Sequence, residues 1–275
     1  MLIDMGGWAH ILLVGASIVT NAIREEIITT NLRELEEELG KDSMLLDSLV
    51  EKLSIFVEKD CKKASAELNT CIDLLVEGYR NGKQQWCYLL SSETNIGRLC
   101  CEVLARYLRK FSSSRLDGRL AVLDPIFVLH LGRAERFNDG LANLFEKIVE
   151  IISYHKRMGD VAFVHATGGY KPETAIAMLA ANSPGAGAPT FYIHEHLNQL
   201  IRIPALPITF RRWKKFSDMM STLLKIEKTS KEKYVKIYGR RAVEEAERLG
   251  WIIEEDGFIR LTSFGKLLWG KMKMK

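Results

Sequence analysis

Val161-Ala162-Phe163-Val164-His165-Ala166-Thr167-Gly168-Gly169-Tyr170-Lys171-Pro172-Glu173 joins an apolar run to a glycine pair and a Lys-Pro step. Its first four residues are a continuous apolar run, which suits a strand buried on both faces. Two glycines follow, where the backbone turns tightly and other atoms approach closely. Pro172 then suits a first helical turn, and a helix is predicted over Lys171 to Asn182, ended by Asn182-Ser183-Pro184-Gly185. A helix N-terminus offers free N–H groups and the positive end of a dipole, and Lys171 adds a full charge there. The segment reads as strand, phosphate-binding loop and helix.

The same pattern recurs outward. Ile11-Leu12-Leu13-Val14 is a buried strand closed by Gly15, and Gly15-Ala16-Ser17 is its loop. Ser17 is placed to donate to a phosphate oxygen or to orient a ribose hydroxyl. Leucines at spacings of three and four between Thr20 and Gly78 predict two or three amphipathic helices. Trp86 to Leu90 is the next strand, followed by Ser91-Ser92-Glu93, with Ser92 as N-cap of a helix running to about Lys110. Ala121 to Leu131 is apolar but interrupted by Pro125. Leu144, Ile148, Ile151 and Ile152 mark a helix over 141–158, and Thr190 to Ile193 a fourth strand. Pro204 and Pro207 make 200–208 an edge strand or extended segment. Strands alternating with helices predict an α/β, Rossmann-like domain with a mostly parallel sheet and a helical insert. Its ligand would sit at the carboxyl ends of the strands, by the loops after Val14, Leu90 and Val164.

The rest of the chain differs in charge and pattern. Phe210 to Lys275 holds 17 of the 39 Lys+Arg but only 9 of the 35 Asp+Glu, a surplus in a chain whose net charge is +4. Helices are predicted over 212–226 and 243–249, then a hairpin over Trp251–Leu261 turning at Asp256-Gly257, then a last helix from about Thr262. That order predicts a small winged helix-turn-helix domain over 209–275, after an α/β domain over 1–208. Its basic residues, Arg211, Arg212, Lys214, Lys215, Lys231, Lys233, Lys236, Arg240 and Arg241, make DNA a candidate partner.

Several classes are set aside. Five cysteines in no Cys-x-x-Cys pair fit reduced thiols in a cytoplasmic protein rather than a disulfide framework or a zinc site. His194 and His196 flank Glu195 without a third ligand, so no metal is assigned. No apolar run is long enough to span a membrane. Neither Gly-x-Gly-x-x-Gly nor Gly-x-x-x-x-Gly-Lys-Ser/Thr occurs, so dinucleotide and P-loop sites are not expected, and no cofactor is assigned.

Gly15-Ala16-Ser17 with Thr20-Asn21, Ser91-Ser92-Glu93, Thr167-Gly168-Gly169-Tyr170-Lys171, Tyr192-Ile193-His194-Glu195 and Pro204-Ala205-Leu206-Pro207-Ile208 stand in the order seen in CRISPR-associated CARF-domain proteins. Over about Ile11 to Ile208 the chain most resembles the standalone archaeal ring nucleases, in which a C-terminal winged helix is common. The resemblance implies a homodimer with cyclic tetra-adenylate across its two-fold axis. It also implies metal-independent cleavage of that ring to di-adenylate with 2′,3′-cyclic phosphate ends, which switches off antiviral signalling. Lys171 and Ser17 would be catalytic. Gly15, Ala16, Thr20, Asn21, Ser92, Glu93, His165, Thr167, Gly168, Gly169 and Tyr170 would line the ligand. The chain departs from the family at His165, where Asn is frequent, and at Ala16, where Thr is. His165 is a candidate base on its ordinary pKa. The competing reading is a regulator that senses the ring and binds DNA without cutting.

Overall fold

The computed structural model describes residues 6–183, 186–194, 199–205 and 213–271. The chain divides into two compact units, Met1–Pro207 and Ile208–Lys275. Among the described residues no helix is long and apolar enough to cross a membrane.

The first unit is an α/β domain on a mostly parallel sheet. Strand β1 (Trp8–Leu13) leads into five helices: α1 (Ser17–Arg24), α2 (Leu32–Leu39), α3 (Ser43–Lys59), α4 (Cys61–Ala64) and α5 (Ala66–Arg80). The leucine spacing predicted two or three helices. Side-chain caps divide the stretch further: Asn31, Asp42, Asp60 and Ser65 each accept from backbone N–H groups of the turn they open. Then come β2 (Gln85–Ser92), α6 (Asn95–Arg115), β3 (Leu120–Val122), β4 (Ile126–Val128), α7 (Phe137–Arg157), β5 (Val161–His165), α8 (Lys171–Ala181), β6 (Thr190–His194) and β7 (Gln199–Ile203). Pro125 separates β3 from β4, and both pair with β2 at different heights. Thr94, not Ser92, caps α6 by accepting from Gly97 N–H, because β2 runs through Ser92.

The strand order is β3-β2-β1-β5-β6-β7, antiparallel only between β6 and β7. The chain leaves β1 for β2 on one side and β5 joins β1 on the other, so the order reverses between β1 and β5. Leu13 is level with Leu90, and Leu12 with His165. The loops after β1 and β5 therefore open side by side at a topological switch point, where open α/β sheets bind ligands.

Alternation along β1 assigns the two faces. Leu12 and Val14 join Leu89 and the buried side chains of α1–α6 in one core, with Leu74, Phe163 and Phe191 packed nearby. On the other face α7 brings His155 to Tyr88, 2.8 Å from its hydroxyl, and to Trp86. His155 also pairs with buried Asp160 at 2.8 Å.

The second unit runs α9 (Trp213–Ile226), β8 (Lys228–Ser230), α10 (Lys231–Tyr238), α11 (Arg240–Arg248), β9 (Ile252–Glu255), β10 (Phe258–Leu261) and α12 (Ser263–Lys266). The strands form an antiparallel sheet ordered β8-β10-β9. Asp256 and Gly257 both have positive φ and make the hairpin turn. Phe216, Met220, Tyr234, Val243, Ile252 and Ile259 fill the core. β8 and α10 were not foreseen. One is three residues long, and the other, Lys231-Glu232-Lys233-Tyr234-Val235-Lys236-Ile237-Tyr238, is only eight residues long, so its helical spacing at 234, 235, 237 and 238 covers little more than two turns.

Candidate functional site

The site is assembled where the loop after β1 meets the loop after β5. Gly15 and Gly168 permit this contact. A Cβ on Gly15 would lie 2.4 Å from the Gly169 nitrogen, and one on Gly168 would lie 2.2 Å from the Leu13 carbonyl oxygen and 2.5 Å from Glu67 Oε1. Only glycine allows such an approach. Gly169 has a φ of +85°, which turns the chain into α8.

Glu67, in the first turn of α5, holds this junction from below and is 2% exposed. Its Oε1 accepts from Gly15 N–H at 2.9 Å. Its Oε2 accepts from the hydroxyl of Ser17, and from that of Ser65 at 2.8 Å. Ser17 Oγ also accepts from Ala66 N–H at 3.1 Å. Sequence reasoning missed Glu67. The available signal was an acid on the stripe shared with Thr70, Cys71 and Leu74, all buried. The macrodipole of α5 favours a negative charge in that turn.

The β5 loop is anchored likewise. Thr167 Oγ1 accepts from Ile193 N–H at 3.0 Å and lies 2.7 Å from Thr70 Oγ1. Thr174 Oγ1 donates to the Ala166 carbonyl at 3.1 Å. Glu173 Oε2 accepts from Tyr170 N–H at 2.9 Å, so that amide is not free for a ligand, and Pro172 has none. The first turn of α8 still offers the N–H groups of Lys171 and Glu173. Burial raises the Glu173 carboxyl pKa, partly offset by the Tyr170 N–H. Lys171 and Tyr170 are exposed, Tyr170 at 75%.

The third loop is organised differently. The N-terminus of α6 is already capped by a carboxylate, since Glu36 of α2 accepts from Asn95 and Ile96 N–H, both at 2.8 Å. Ser92 Oγ lies 2.9 Å from Thr94 Oγ1, and Glu93 is paired with Arg133 at 2.7 Å. Arg98 lies over the Phe127 ring. Asn21 donates to the carbonyls of Lys63 and Ala64, both at 3.1 Å, tying α1 to α4. Ala16 and Thr20 are half-buried around the start of α1.

His165 requires a correction. It is 1% exposed and lies in the packed sheet, stacked on Phe191 and 3.1 Å from His10, not in the ligand cleft. Gln85 donates to the Leu75 carbonyl through its amide nitrogen, so its Oε1, 3.0 Å from His10 Nε2, accepts from that ring. His10 Nδ1 is then the acceptor and His165 Nε2–H the donor. Burial lowers the His10 pKa to about 4, partly offset by the bond to Gln85. Burial, then His10, lowers that of His165 well below its ordinary value. Both rings are neutral, and burial keeps His165 from being presented to the cleft between the β1 and β5 loops.

Several basic residues of the second unit are already paired. Lys231 meets Glu247 at 3.1 Å and also Glu254, Lys236 meets Glu232, and Arg260 meets Glu255. Arg240 and Arg241 are exposed at the start of α11. Arg211, Arg212, Glu195, His196, Pro184, Gly185 and the expected boundary between 208 and 209 lie outside the described residues.

A family model described as CRISPR-associated protein (Cas_APE2256) matches residues 62–206, from α4 to the end of the described sheet. Among solved structures, Can2 from Sulfobacillus thermosulfidooxidans, in complex with cyclic tetra-adenylate, is similar at 10% identity with a TM-score of 0.32, over 94% of this chain and 63% of that one. Protein VC1899 from Vibrio cholerae is similar at 10% identity with a TM-score of 0.31, over 95% and 65%. The chain spans less than two thirds of the length of either.

Proposed function

The chain belongs to the CRISPR-associated Cas_APE2256 family, and from that premise we propose that it binds cyclic tetra-adenylate at the junction of the β1 and β5 loops and cleaves it. The observation that carries this reading is the meeting of those loops at the switch point, beside an α8 N-terminus with an exposed lysine. Dipole and ammonium there favour an anion. In the ring, each ribose 2′-hydroxyl already lies beside its own phosphodiester. The protein needs to hold the 2′-oxygen in line with the phosphorus and to stabilise the extra negative charge that develops. The 2′-oxygen bonds to phosphorus, the bond to the 5′-oxygen breaks, and the 2′-proton balances the leaving 5′-hydroxyl. Two such cuts give di-adenylate with 2′,3′-cyclic phosphate ends, with no metal. Lys171 serves the charged phosphorane, Ser17 the reacting nucleotide, and Tyr170 offers a ring for a base. The active form is a homodimer with both copies of each loop around one ring. We also read the C-terminal unit as a winged helix-turn-helix, a reading supported by α10 and α11 standing before the β9–β10 hairpin.

Labelled cyclic tetra-adenylate incubated with the protein, with and without EDTA, and resolved by chromatography tests the proposal. Di-adenylate in both conditions supports it. An intact ring that co-elutes with the protein would replace cleavage with sensing, and an intact ring that does not bind would remove both.

A further inference from the structure

The hydrogen bonds of Ser17 determine what it can offer a ligand. A serine hydroxyl has one proton and two lone pairs. The proton is directed to Glu67 Oε2, and one lone pair accepts from Ala66 N–H at 3.1 Å. One lone pair remains, on a residue that is only half-buried. Towards a ligand, Ser17 is therefore an acceptor. A phosphate oxygen is also an acceptor and finds no proton here, whereas a ribose hydroxyl supplies one.

We propose that Glu67 is a positioning residue that fixes Ser17 as a hydrogen-bond acceptor, so that Ser17 recognises a ribose 2′-hydroxyl and not a phosphate oxygen. This rests on the cyclic oligoadenylate reading above and sharpens it: phosphate recognition falls to Lys171 and the α8 amides, and alignment of the 2′-hydroxyl to Ser17. Glu67 is suited to this because its other contacts hold it still. Gly15 N–H is bound at 2.9 Å and the Ser65 hydroxyl at 2.8 Å, and Gly168 covers it closely. The carboxylate cannot turn away from Ser17 without leaving a buried donor unpaired, which is costly.

Glu67→Gln inverts this arrangement at constant size. Gly15 N–H keeps the amide oxygen opposite it, so the amide NH2 faces Ser17 and donates. The Ser17 proton must then point outward, and Ser17 becomes a donor. The experiment compares filter binding, at low temperature before turnover, of natural cyclic tetra-adenylate and of the ring with 2′-fluorine at every ribose, which lacks the donated proton. Wild type is expected to prefer the natural ring by roughly 2- to 12-fold for each hydroxyl engaged. In Glu67→Gln, shown folded by its melting curve, the preference falls to about one or reverses. Ser17→Ala, read by the same ratio, loses the preference and decides the matter if Glu67→Gln does not fold. A wild-type protein that binds both rings equally, or variants that keep the wild-type ratio, would overturn the inference and leave the ligand assignment standing. Failure of wild type to bind either ring would overturn both.

Discussion

Gly168→Ala places one methyl group where the β1 and β5 loops touch. The new carbon would start 2.2 Å from the Leu13 carbonyl oxygen and 2.5 Å from Glu67 Oε1, against ordinary contact from 3.4 Å. One neighbour is backbone in the central strand, and the other is a carboxylate held by three donors. Relief therefore requires about 1 Å of movement between the loops. Overpacking of this kind costs about 1–3 kcal/mol, which in a unit of this size lowers Tm by roughly 2–12 °C. The displaced loop carries Lys171 with it, so ring affinity falls too. Gly118→Ala is the control: Gly118 has a φ of +73° with nothing near its added carbon. That variant is expected to lose about 1–2 kcal/mol from backbone strain and to bind the ring as wild type does. Thermal unfolding and ring titration of both proteins provide the test. A Gly168→Ala protein with wild-type Tm and affinity would refute the described contact between the loops.

Two further predictions concern buried ionisable groups. The unfolded chain protonates His10 near pH 6.5 while the native chain resists until about pH 4, so acid favours unfolding. Stability should fall by about 3 kcal/mol between those values from His10 alone, with His165 adding in the same direction, and the slope should shrink in His10→Gln. Urea midpoints at pH 7.5 and 5 check this, and equal midpoints would contradict it. Glu173 has a raised pKa, so its contribution is fully present below the ordinary value of 4.5 and declines as pH rises through the folded-state value. Glu173→Gln, which keeps an acceptor for Tyr170 N–H, should therefore match or exceed wild-type Tm at pH 7 and lose that advantage below pH 4.5. A variant clearly less stable at pH 7 would show that the cap needs the charge.

Strands β1, β2, β5 and β6 were legible because they are short continuous apolar runs, a pattern set by burial on both faces, whereas β3 and β4, three residues each on either side of Pro125, were not. The loops were legible because Gly-Gly before Lys-Pro has few structural uses. The functions of side chains that act from a distance were harder to read. Glu67 is fifty residues from Ser17 in sequence, and only the fold of the helical insert brings them together. His165 was misread because a histidine at a strand end has the same sequence context whether it faces a cleft or a neighbouring ring. Its partners, His10 and Phe191, come from two other strands. Nothing in the sequence near Ser92 and Glu93 signals that Glu36, from α2, caps the α6 N-terminus beside them.

The decisive experiment is single-turnover cleavage of labelled cyclic tetra-adenylate by wild type and by Lys171→Ala, with ring binding measured on the same preparations. Di-adenylate is expected from wild type, and at least a hundredfold slower cleavage from a folded Lys171→Ala protein, in line with the loss of a charge-stabilising group. Cleavage by Lys171→Ala at the wild-type rate would place the chemistry elsewhere in the molecule.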